Sequence, residues 1–271
     1  MIRTVLVCHA ENDLNRVGVA RWLASFSQLV GIVMVREPPA RMWRRIRREL
    51  RRVGPLRFLD VLGFQLYYRL LLAARDGAWR ARTLERLCRR YPPPRPDPDV
   101  LETSDPNSAE ARAFMQRLAP DLALARCKTL LKEDVFSIPV HGTFVLHPGI
   151  CPEYRNAHGC FWALANDDLS RVGTTLLKID RGVDTGPVYG YYGYPFDEVV
   201  ESHAVIQHRV VLENLPAIAR TLVEICERRA TALDTAGRRS ATWGQPWLTR
   251  YLQWKHQARR RRRAGSLASL S

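Results

Sequence analysis

A chain of 271 residues, 46% apolar and 25% charged, has the balance of a globular protein and the length for one sizeable α/β core with appendages. That balance excludes wholesale disorder. The net charge of +15 is local, because residues 41–52 hold seven Arg against one Glu and residues 255–263 hold Lys255 and five Arg; anionic partners therefore belong to those two segments.

Residues 4–8, Thr-Val-Leu-Val-Cys, form an apolar run too short for an export signal and suited to a buried first strand. Residues 11–25 place Leu14, Val17 and Leu23 at helical spacing, and residues 29–35 form a second apolar run. Strand, helix, strand is the opening of a parallel sheet. After Pro38 and Pro39 the character changes: residues 41–90 are dense in Arg, Leu and aromatic residues at helical spacing, and residues 36–100 read as a basic helical insertion. Residues 91–98 hold five prolines, which remove backbone donors and fix φ, so this stretch is an exposed connector.

Alternation then resumes, with a helix at 109–118, a strand at 121–125, a helical turn at 132–136 and a strand at 142–146. Residues 202–229 read as one helix, 243–254 as an aromatic-rich helix, and 258–271 as a basic tail without order. The organisation is an α/β domain over 1–200 with a mainly parallel sheet and the insertion, then a helical C-terminal extension over 201–257. Asp60, Arg69 and Arg75 interrupt the most apolar region, so no membrane span is expected. The six cysteines form no CxxC pair, which fits reduced thiols and a cytoplasmic location. His141, His147, Cys151, His158 and Cys160 lie close in sequence but match no zinc-ligand spacing, so no metal is expected.

Two features carry chemistry. Residues 144–147 read as a strand whose carboxyl end presents His147, the position at which open α/β sheets hold ligands. Further on, a strand from residue 173 runs into an acidic loop bracketed by Gly182 and Gly186, which lets Asp184 approach the sheet edge. Alone, a strand-end histidine is more often a core residue than a catalyst; the paired acidic loop changes that weighting.

The pattern His-Pro-x-x-x-Pro-x-Tyr-Arg at 147–155, followed by Asp-x-Gly-x-Asp-Thr-Gly at 180–186, is similar to the signature of the formyltransferase family. That family includes methionyl-tRNA formyltransferase, glycinamide ribonucleotide transformylase and the sugar N-formyltransferases. The likeness covers residues 105–200 well and 1–35 weakly. It implies a Rossmann-like core that binds N10-formyltetrahydrofolate and moves its formyl group to an amine. It also implies that His147 is the catalytic histidine and Asp184 its acidic partner, one to stabilise an oxyanion and the other to relay the amine's proton.

The family's third catalytic residue, an Asn two positions before the histidine, is replaced here by Val145. Losing one oxyanion donor costs about 10²–10³ in rate. Asn156, on the loop that follows, is the candidate replacement. Residues 124–132 align with the stretch whose main chain holds the pterin ring, which makes Lys128, Leu130 and Leu131 cofactor-binding candidates, with Ile179, Asp180 and Val183 as the second wall. Tyr154, Arg155 and His158 are the candidates for acceptor binding.

The resulting expectation is formyl transfer to an amine of a small molecule, most naturally an amino sugar nucleotide. Alternatives are formyltetrahydrofolate hydrolysis, a noncatalytic binding module of the same fold, and a tRNA formyltransferase-like enzyme. The arginine run is most simply a solvated helix face; with the leucine-rich residues 59–72 beside it, the segment 41–75 also suits an anionic membrane surface. Nucleic acid ranks lower, because the residues after 200 read as helices and Trp243, Trp247, Tyr251 and Trp254 read as a packing face and not as a base-stacking platform. The oligomeric state stays open.

Overall fold

The computed structural model describes the backbone of residues 1–268, and the side chains of all of these except 39–42 and 265–268. The first strand, β1 (Arg3–His9), is buried along both faces. A strand of that kind belongs in the middle of a sheet covered by helices on each side, and β1 has β2 (Gln28–Val35) and β4 (Leu122–Arg126) as parallel neighbours. The remaining strands of the main sheet are β3 (Asp99–Thr103), β5 (Thr143–His147), β7 (Thr174–Lys178) and β8 (Val188–Tyr192). The sheet has seven strands in the order β3, β2, β1, β4, β5, β7, β8, parallel from β3 to β5 and antiparallel across β5, β7 and β8. A second, two-stranded sheet pairs β6 (Arg155–Asn156) with β9 (Thr242–Trp243).

The helices are α1 (Ala20–Ala24), entered through a π-helical turn at Leu14–Val19, α2 (Pro39–Tyr67), continued by a π-helical turn at Tyr68–Leu72, and α3 (Ala73–Arg90). They are followed by α4 (Ala109–Leu118), α5 (Glu133–Phe136), α6 (Gly159–Ala165), α7 (His203–Leu212), α8 (Leu215–Cys226) and α9 (Leu248–Ala268). Alternate residues of each strand face opposite layers. Val5, Val7, Val33 and Ala123 pack against Phe114 and Met115 of α4 and Val135 of α5. Leu6, Leu124, Phe144 and Leu176 join the larger cluster that holds Trp22, Phe161, Val210, Leu222 and Trp254. This is the α/β, mainly parallel architecture that the alternation of elements predicts.

The insertion is helical, as its spacing predicts, but it is not a satellite: Phe64, Leu72, Leu87 and Tyr91 lie in the same buried cluster as the sheet. Within α2 the axis breaks at Gly54, which takes φ 78° ahead of Pro55. Proline forces its predecessor out of the right-handed helical region, and glycine accepts the left-handed alternative without strain. Residues 99–103, at the expected end of the insertion, are the edge strand β3, in register with β2 from Gly31 opposite Asp99.

Four boundaries depart from the sequence reading. The first helix begins at Leu14, three residues late, and begins as a π-helical turn. The single helix expected over 202–229 is two, because Pro216 opens α8 and cannot continue the ladder of α7. The aromatic helix starts at Leu248, with Trp243 in β9, although the aromatic residues do pack on the core as expected: Tyr251 and Trp254 are fully buried. The expected disordered tail is helical over 258–268, anchored by buried Ala258, while residues 269–271 lie outside the described residues. No helix among the described residues is long and apolar enough to cross a membrane.

Candidate active site

His147 ends β5, and Pro148 stops the ladder immediately after it. The turn that follows is tied to β7: Thr174 Oγ1 donates to the His147 carbonyl at 2.9 Å, and Thr175 Oγ1 donates to the Gly149 carbonyl at 2.6 Å. The acidic loop after β7 is fixed from within by Asp180, whose carboxylate accepts from the Gly182 amide at 2.9 Å and from Thr185 Oγ1 at 2.7 Å. Arg155 holds the loop from outside, donating to the Val183 carbonyl at 3.0 Å.

These restraints bring the predicted pair together. His147 Nδ1 lies 3.3 Å from Asp184 Oδ2, with side-chain exposures of 6% and 14% respectively. The other ring nitrogen, Nε2, is 2.7 Å from the Tyr154 carbonyl. A carbonyl and a carboxylate both accept, so the ring donates to both only when each nitrogen carries a proton. Asp184 is held in the left-handed region at φ 51°, as are Asn156 and His158 at 77° and 56°. Three such residues on the two loops that meet at one histidine are the kind of local strain that gathers at functional sites.

Val145 lies one pleat back from His147 on the same face of β5, where it packs against Cys151, Leu177 and Val188. Burial pushes the Cys151 thiol up, and the neighbouring charge of Asp184 adds to the shift. The floor beside the pair is therefore apolar. Asn156 does reach the pair, but through its backbone: its main-chain amide donates to Asp184 Oδ2 at 2.8 Å, while its side-chain Nδ2 donates to the Trp243 carbonyl at 2.5 Å. The amide expected to replace the one lost at 145 is committed to the β6–β9 pairing.

The expected acceptor-binding residues are also engaged within the protein. Tyr154 is buried, stacks on Trp243 at 5.7 Å and donates its hydroxyl to Asp168 at 2.9 Å; burial and that bond push it up to about 12. His158, capping α6, is driven down to about 4 by burial and by the charge of Lys128. The sequence shows this loop as irregular; β9 and the aromatic residues that cover it come from about ninety residues away.

A cavity of about 600 Å³ opens where β1 and β4 end, the point at which strand order reverses and open sheets bind ligands. His9 and Lys128 wall it from the strand ends, with Glu37, Arg80 of α3 and His208 of α7 around them. His9 Nε2 accepts the Lys128 amide at 2.9 Å. Burial pushes Glu37 up, but the paired bonds from Arg45 at 2.7 and 2.5 Å outweigh it and hold the carboxyl below its usual range. Burial drives His208 down to about 3, assisted by the charges of Arg126 and Arg80. His147 and Asp184 do not line this cavity; they stand one strand further on, across β4, where Arg126 donates to the Leu146 carbonyl of β5.

The formyl transferase family model matches residues 80–214, a span that contains the His147–Asp184 pair and both loops around it. Those residues belong to the formyl transferase family. A methionyl-tRNA formyltransferase of Dehalococcoides mccartyi is 38% identical over 91 residues, which is 33% of this chain and 29% of that protein. The chain thus matches under a third of that relative's length. Among solved structures, a sugar N-formyltransferase from Shewanella superposes with a TM-score of 0.54 at 12% identity, covering 90% of this chain and 77% of the other. A phosphoribosylglycinamide formyltransferase from Anaplasma phagocytophilum gives 0.52 at 12% identity, covering 89% and 96%. Those two likenesses show the shared Rossmann-like fold.

In this formyl transferase fold the two expected cofactor walls converge. Leu131 is buried and Ile179 packs against the same cluster, while Arg181 donates to Glu133 at 2.9 Å across the gap. Leu130 stands 62% exposed beside them, its carbonyl accepting from Asn107 Nδ2 at 3.0 Å. Lys128 lines the cavity. The sequence reading missed His9, Glu37, Arg80 and His208. For His9 a signal existed, since it closes the first strand; the other three are brought in by helices and loops whose placement is tertiary.

Proposed function

We propose that this protein transfers a formyl group from N10-formyltetrahydrofolate to an amine of a small molecule in the reducing cytosol, with amino sugar nucleotides as the acceptor class. The observation that carries the reading is the His147–Asp184 contact at the end of β5. The cavity of about 600 Å³ at the ends of β1 and β4, one strand away from the pair, has the size for the body of a small molecule. Its mixture of Arg80 and Lys128 with Glu11, Asp13 and Glu37 suits a ligand that carries both phosphate and amine.

When bound, formyl-folate supplies a carbonyl carbon open to attack and a nitrogen that leaves with the bonding pair. Both contacts made by Asp184 fall on Oδ2, so Oδ1 is the oxygen that meets the acceptor and takes the proton the amine sheds. His147 holds that carboxylate in place and supplies positive charge near the developing oxyanion. The main-chain amide of Asn156, already on Asp184, fixes the carboxylate from the other side.

A second reading is supported by Val145 and by the engaged side chain of Asn156: with no amide free at the formyl oxygen, the site would hydrolyse its ligand slowly or only hold it. Release of tetrahydrofolate, measured with and without amino sugar nucleotides, separates the two. Acceptor-dependent release that vanishes in Asp184→Asn supports transfer. Release indifferent to every acceptor supports hydrolysis, and binding without release supports a noncatalytic module.

A further inference from the structure

The second half of α2 and the π-helical turn that continues it carry two ridges. Val61, Phe64, Tyr68 and Leu72 recur at spacings of three, four and four residues, and this ridge packs into the core. Leu59, Leu62, Leu66 and Leu70 recur at the same spacings but are shifted by two residues, which on a helix is more than half a turn. The second ridge therefore points directly away from the protein, and its leucines are 48–71% exposed. Leu56 and Leu71, also exposed, widen it. Four exposed leucines in one line form a continuous apolar stripe, unlike the scattered apolar residues of an ordinary surface.

The charge along α2 is predominantly basic. Before the break at Gly54, the exposed Arg44, Arg47, Arg48 and Arg51 recur at helical spacing, and Arg69 stands within the stripe itself. Beyond its end, burial and the charges of Arg75 and Arg259 depress Lys255 to about 8, and Tyr251 packs on Phe64 and Tyr67 at 5.4 and 5.5 Å, so α9 lies against α2. Asp60, the acidic residue of this half of α2, is occupied by Thr249, whose amide donates to it at 2.9 Å.

We infer that the leucine stripe of α2 docks on the surface of an anionic lipid bilayer, lying in the interface with the arginine ridge against the headgroups. An apolar ridge flanked by arginine is the arrangement that gains from acyl chains and anionic headgroups at once. A second copy of the chain would cover the leucines but would set two arginine-rich surfaces against each other. A nucleic acid would complement the arginines and leave the leucines in water.

The test uses the full chain and two kinds of vesicle, pure phosphatidylcholine and phosphatidylcholine with roughly a quarter phosphatidylglycerol, read by co-sedimentation. The wild-type protein partitions onto the anionic vesicles and not the neutral ones. Leu62→Glu with Leu66→Glu, both solvent-facing and therefore harmless to the fold by circular dichroism, reduces partitioning about tenfold or more. Replacing Arg44, Arg47, Arg48 and Arg51 with Gln reduces it about a hundredfold or more. Absence of wild-type partitioning overturns the inference, as does full binding by the leucine variant. A dimer that the leucine variant dissolves, or tRNA binding that it leaves intact, without vesicle binding in either case, overturns it in favour of a second copy or of nucleic acid.

Discussion

Lowering the pH from about 7.5 to about 5.5 should remove about 4 kcal/mol of folding stability through three histidines, one buried and two half-buried. His158 and His208 are pushed down to about 4 and about 3, chiefly by burial, and His203 is likewise driven well below its usual value. Each histidine has a lower affinity for its proton in the folded state, so the unfolded chain binds protons that the native state excludes. The stabilisation is complete above the unfolded value near 6.5 and is lost as the pH falls towards the folded values. Across that window each site loses between about 1 and 2 kcal/mol, against a total of about 5–15 for a typical domain. Urea midpoints followed by far-ultraviolet circular dichroism at the two pH values measure it. His158→Gln should lose about a third less than the wild type over the same interval, since one of three protons is gone. A wild-type midpoint that does not move, or a variant that loses as much as the wild type, would refute the assignment of these histidines as neutral in the fold.

Asp184→Asn and His147→Ala should each lower formyl transfer by about 10³-fold with an unchanged circular dichroism spectrum, measured by tetrahydrofolate release. Val145→Asn should raise the transfer rate about tenfold or more by restoring an oxyanion donor. It should also cost about 1–3 kcal/mol in thermal or urea unfolding, because the amide replaces an apolar contact with Cys151 and Leu177. Gly149→Ala places a methyl 2.6 Å from the Tyr154 carbonyl and 2.8 Å from His147 Nε2. It should destabilise the fold by about 1–3 kcal/mol and reduce turnover with it, as a melting scan and the same release assay would show.

The fold was legible in the sequence because local chemistry carries it, and the meeting of His147 with Asp184 was legible through the family resemblance. An apolar run such as residues 4–8 suits a doubly buried strand, Pro148 fixes where β5 stops, and Gly182, Gly186 and Asp180 shape the acidic loop within a few residues of Asp184. What lies between distant segments was not legible. The amide of Asn156 looked free until β9, whose Trp243 takes it, was placed beside β6. Tyr154 is covered by the same strand, and His158 is half-buried against His203 of α7. The cavity owes His208 to α7 and Arg80 to the insertion, which the sequence marks as helical without showing which face it turns to the sheet. Spacing along the chain determines which side chains share a face; which face meets which is decided by the burial of the whole core, and that depends on all the elements at once.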